Sequence, residues 1–146
     1  MKDQTSQPKN RAASETGPKP GLSASVERAV PFEWTIAAYD PTLPAVLSTP
    51  AMIGMMEVAA AKAVFPELPP GAITVGTRIE VDHLKAVAAG AQVRATARLS
   101  GNDGRFLVFE VEAVAGDQVI GRGRVYRAIV ETASFRAKAD ERSGTT

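Results

Sequence analysis

The chain has 146 residues, 45% of them hydrophobic and 23% charged, which fits one soluble globular domain. Its net charge of +1 gives no field strong enough to draw nucleic acid or a membrane surface. With no cysteine and one histidine, it lacks the means for a disulfide framework, a thiolate metal site, a cysteine nucleophile or a His-rich zinc site. No run approaches the ~18 apolar residues that span a bilayer, and the polar N-terminus does not read as a secretory signal, so a cytoplasmic protein is expected.

In chain order, residues 1–22 are polar and hold three prolines, which predicts a flexible tail. "SASVERAV" from Ser23 is a first strand, and the segment to Leu47, punctuated by Pro31, Pro41 and Pro44, is irregular. "LSTPAMIGMMEVAAAKAV" then opens a helix. Thr49 suits its N-cap, Pro50 its first helical position, and "PELPPG" ends it near Phe65. Apolar and small residues run almost all the way round, the pattern of a buried helix.

After Gly71 the period becomes two. Val75, Ile79, Val81 and His83 share one parity of the next strand. Val93, Ala95, Ala97 and Leu99 share the inner face of the one after, and Leu107, Phe109, Val111 and Ala113 that of its successor. "GNDG" at 101–104 and Gly116–Asp117 are tight turns, and "QVIGRGRVYRAIVE" is the last long strand. The expectation is an α+β fold with one domain over 23–135. An antiparallel sheet would wrap round a single long helix, because each has an apolar surface and no other partner for it. "RAKADERSGTT", 136–146, is predicted to be a second flexible tail.

Three residues stand out as chemistry. Glu57 is the only charged side chain between Thr49 and Lys62, and Ile53, Gly54, Ala60 and Ala61, one turn away, cannot pair with it. It must be protonated, find a partner on another element, line a wet cavity, or point to solvent from an exposed edge. His83 lies near a strand end on the helix side of the sheet, as a rim histidine or as a proton-transfer group. Thr49 is an ordinary cap, or a hydroxyl at a helix start whose free N–H groups suit an oxyanion. Eight residues separate Thr49 from Glu57, roughly 12 Å along a helix. They share one reacting carbonyl only if Thr49 folds back off the helix or a second subunit supplies one of them.

Arg94, Arg98, Arg105, Arg122, Arg124 and Arg127 stud the late strands as a solvated face or as phosphate holders. Of these, Arg127 is assigned to substrate binding. Met52, with Met55 and Met56, either fills the core or lines an adaptable acyl cavity, and is assigned to the cavity. Gly121 and Gly123 alternate within a strand, which suggests that another backbone or a ligand comes close. No metal site and no cofactor are expected.

The stretches "TPAMIGMMEVAAAKA", "VGTRIEVDH" and "IGRGRVYRAIV" resemble a hot-dog-fold thioesterase of the fluoroacetyl-CoA thioesterase-like branch, over residues 21–138. The resemblance implies that Thr49, Glu57 and His83 form the catalytic set, and that the Gly76 backbone lies near the substrate thioester. It also implies an acyl-CoA substrate and a homodimer, with sites at the subunit interface; a tetramer is the larger alternative. Members specialised for fluoroacetyl-CoA carry phenylalanines just ahead of the threonine, where this chain has Tyr39 and Leu43 in "YDPTLPAVLS". The function expected is acyl-CoA hydrolysis. A non-catalytic acyl-CoA-binding module and a hot-dog enoyl-thioester hydratase are the alternatives. A hydratase would want its Asp and His a few residues apart on a loop, whereas Asp82 and His83 are adjacent in a strand.

Overall fold

Strand β2 (Ala72–His83) closes one edge of a five-stranded antiparallel sheet and β1 (Ser23–Ala29) the other, in the order β1-β3-β4-β5-β2. These are the described residues, 17–144, of a computed structural model. Between the edges lie β3 (Gln92–Asn102), β4 (Phe106–Ala115) and β5 (Gln118–Glu131), the predicted meander with its turns at 103–105 and 116–117. Gly116 takes φ +62 in the second of these, a left-handed conformation that costs glycine little.

Helix α1 (Thr49–Val64) lies on the inner face of the sheet, mostly over β1 and β3. Met52, Met55, Met56, Ala59, Ala60, Ala63 and Val64 are buried from the helix. The alternating residues Val93, Ala95, Ala97 and Leu99 of β3 and Leu107, Phe109, Val111 and Ala113 of β4 meet them. Alanine on both surfaces lets helix and sheet approach closely, and each fully buried Met or Phe contributes about 1.5–3 kcal/mol.

Four expectations change. The N-cap of α1 is Ser48, whose hydroxyl accepts from the Ala51 N–H, and Thr49 is the first helical residue. The helix is not covered all round: Val58 is 57% and Phe65 61% exposed, because α1 has sheet on one side only. Residues 17–22 are pinned rather than free, with Gly21 and Leu22 bonded to Leu99 and the Asn102 amide donating to the Pro18 carbonyl. The rest of that predicted tail, 1–16, lies outside the described residues. At the other end, a second helix, α2 (Thr132–Arg142), runs from the end of the predicted domain into the expected tail 136–146, of which 145–146 lie outside the described residues. Its cap supplies the physical reason: the Glu131 carboxylate accepts from the Ser134 N–H and hydroxyl.

Candidate active site

The first turn of α1 and the last residue of β2 meet. Thr49 Oγ1 and His83 Nδ1 are 2.7 Å apart, a short hydrogen bond between side chains 34 positions apart in sequence. Thr49 is held there by the Ser48 cap, and His83 by the end of a strand paired to Gly121 of β5. His83 Nε2 is buried and has no partner among the described residues.

This helix end offers fewer donors than a bare terminus would. The Ala51 N–H goes to Ser48 Oγ, the Met52 N–H to the Ser48 carbonyl, and Pro50 has none. The Thr49 N–H is left free, among the described residues, beside its own hydroxyl.

Glu57 lies two turns on. Its Oε2 is 3.1 Å from Arg127 Nη1, and it makes no hydrogen bond to Thr49 or His83 of the same chain. The partner it needed comes from β5. Arg127 also donates from Nε to Thr74 Oγ1 at 2.9 Å and from Nη2 to the Thr74 carbonyl at 2.8 Å. Burial pulls the Arg127 guanidinium below its ordinary pKa, and the Glu57 carboxylate acts in the opposite direction. Thus Arg127, assigned from sequence to the substrate, is 8% exposed and spends its fork on Glu57 and Thr74. A sequence signal for this existed, since Arg127 shares strand parity with Val125 and Gly123 whereas Arg122 and Arg124 take the other face.

The carboxylate of Glu57 rests on Gly76. A Cβ at Gly76 would run into Glu57 Oε2 and stand 3.6 Å from Arg127 Nη1. Met52 is fully buried against Gly121, so it fills the core instead of lining a cavity. Tyr39 is 74% and Leu43 41% exposed, on the irregular segment ahead of the helix. Thr74 and Ser48 are the supporting residues that sequence reasoning missed.

One chain thus carries two separate groups: Thr49 with His83, and Glu57 with Gly76, Arg127 and Thr74. A sheet on one face of a long helix is also the fold shared with a hot-dog-like protein from Thermanaerovibrio acidaminovorans. That structure is 25% identical over 88% of this chain and 95% of its own, with a TM-score of 0.78. The class is that of hot-dog thioester hydrolases. The profile of the fluoroacetyl-CoA-specific thioesterases matches residues 30–133, which include every residue just named. The fluoroacetyl-CoA thioesterase of Streptantibioticus cattleyicolor is 38% identical over 100 residues, 68% of this chain and 72% of that one. A solved structure of a fluoroacetyl-CoA thioesterase is 34% identical and covers 86% of this chain and 97% of its own, with a TM-score of 0.80. The chain belongs to the fluoroacetyl-CoA-specific thioesterase family.

Proposed function

We propose that the protein hydrolyses an acyl-CoA to the free acid and CoA, with Thr49 and His83 as the reacting pair. The observation that carries this is the 2.7 Å Thr49–His83 bond at a helix start, in a chain of this family. His83 Nδ1 takes the hydroxyl proton as Thr49 Oγ1 attacks the thioester carbonyl carbon. The oxyanion that develops lies beside the free Thr49 N–H, a donor on the same residue as the nucleophile. The C–S bond breaks, the imidazolium returns its proton to the CoA sulfur, and water activated by the same imidazole releases the acid.

The site takes its second half from another subunit. Along α1 the Thr49 and Glu57 groups are roughly 12 Å apart, too far to share one carbonyl. Edge strand β2 runs from the Glu57 group at Gly76 to the Thr49 group at His83. Among the described residues no strand pairs with its outer edge, and Ile79 at its middle is 39% exposed. An antiparallel pair of two β2 edges sets the His83 end of one chain beside the Gly76 end of the other. Glu57 of the partner subunit then faces the thioester across from the Thr49–His83 pair, since His83 Nε2 is covered within its own chain. There it stabilises the charge that develops on the imidazole.

The same groups argue against a binding module, which has little use for a short threonine–histidine bond at an exposed helix start. The test is a panel of acyl-CoA thioesters of graded length and polarity, assayed by thiol release. At least one is hydrolysed, and Thr49→Ala or His83→Ala lowers its kcat by about a hundredfold or more. Full activity in either variant rejects the assignment. Hydration of an enoyl-CoA with no thiol release replaces it with the hydratase reading.

A further inference from the structure

Gly121 of β5 sits beneath the supports of the Thr49–His83 pair. It is buried, and it pairs with His83 of β2 on one side and Ala113 of β4 on the other. A Cβ there would stand 2.5 Å from Met52 Sδ, 2.6 Å from Met52 Cε and 3.2 Å from the Asp82 carbonyl oxygen. Met52 is one turn along from Thr49, and its N–H closes on the Ser48 carbonyl that begins the helix. Asp82 immediately precedes His83. Gly121 therefore sits between the supports of both partners in the 2.7 Å bond. Gly123 differs, since its missing Cβ makes room for the Glu80 carbonyl and so serves strand spacing.

We propose that Gly121 is a positioning residue for the Thr49–His83 pair: the notch it leaves in β5 seats Met52 and sets the height of the helix start over His83. Any side chain at 121 lifts Met52, tilts the first turn of α1 away from the sheet and lengthens the bond. The proposal rests on the reading of Thr49 and His83 as the reacting groups, so its test includes a readout independent of catalysis. His83 is the only histidine, so its imidazole nitrogens give unambiguous resonances. Thr49→Val provides the reference for a broken bond.

Gly121→Ala is expected to lower kcat for the wild-type substrate about tenfold or more, with KM held within about twofold. The His83 Nδ1 resonance should move towards its position in Thr49→Val. Met52→Val removes the crowding atoms and about the volume that the alanine adds, so Met52→Val/Gly121→Ala restores most of kcat and of the resonance. Met52→Val alone opens the same notch, and its kcat falls until Gly121→Ala is added. As a crowding control, Gly101→Ala would bring a Cβ 2.9 Å from Val108 Cγ1, away from the pair. It lowers the Tm and leaves kcat and the resonance unchanged. The proposal is overturned by a wild-type resonance in Gly121→Ala, by the same kcat loss in Gly101→Ala, or by a double variant no better than Met52→Val. The last comparison holds even if Gly121→Ala alone does not fold. A wild-type chain without thiol release would sink the hydrolase reading, while the resonance still judges Gly121.

Discussion

Thr49, His83 and Glu57 have side chains that could only be ranked as candidates from the sequence, and the fold gives each a different amount of company. Thr49 and His83 meet at 2.7 Å, while Glu57 is answered by Arg127 at 3.1 Å. The residue types were legible because an acid among alanines and methionines, and a lone histidine, contrast with their surroundings. The partner of Glu57 was not, because an arginine on a strand reads as solvated until the parity of its neighbours is weighed. The cap was misplaced by one residue for a similar reason, since Ser48 and Thr49 offer the same hydroxyl chemistry. At this scale Arg127→Leu should be costly. It strips three charge-assisted bonds, leaves the Thr74 carbonyl unmet and leaves a half-buried carboxylate without its cation. The expected loss is about 3 kcal/mol, read from the urea midpoint. Arg127→Lys should recover only part of it, because an ammonium cannot reproduce the planar fork. An unchanged midpoint in Arg127→Leu would show that the pair contributes nothing net.

At the scale of elements, periodicity carried most of the fold. Each long strand of the meander and the helix end at Val64 follow from alternation, turn glycines and proline placement. What alternation could not show was the register shift between Gly76 and Arg78, which lets Gly76 and His83, of opposite numerical parity, face the same side of the sheet. Nor could composition show helix α2, because a polar stretch without an apolar face looks like a tail. Its stability lies in its cap, and the cap is ionisable. Hydrogen bonds from the Ser134 hydroxyl and N–H hold the Glu131 carboxyl below its ordinary pKa. A folded-state pKa that is lowered means a contribution present above the ordinary carboxylate range and lost as pH falls through the lowered value. Helicity of α2 should therefore decrease on acidification below that range, seen as loss of amide protection at 132–142. Glu131→Gln should flatten this pH dependence, and a pH-independent α2 in the wild type would contradict the cap.

For the molecule as a whole, two features of the single chain bear on the proposed dimer. The Thr49 and Glu57 groups lie two turns apart on α1, and among the described residues the outer edge of β2 has no partner strand while Val58 and Phe65 face outward. Natural sheets rarely leave a long edge strand unprotected. The proposed pairing of β2 edges would cover the edge and bring the two groups together. Ile79→Pro should then block the pairing and reduce thiol release in proportion to the monomer seen by sedimentation. An active monomer would place the whole site in one chain. The most direct measurement uses Thr49→Ala and Glu57→Ala chains, co-expressed under different tags so that the mixed dimer is purified from both parents. In a site shared between subunits, the mixed dimer has one centre with Thr49, His83 and Glu57 all intact, and thiol release returns to about half that of the wild type. A mixed dimer as inactive as its parents would contradict the shared site.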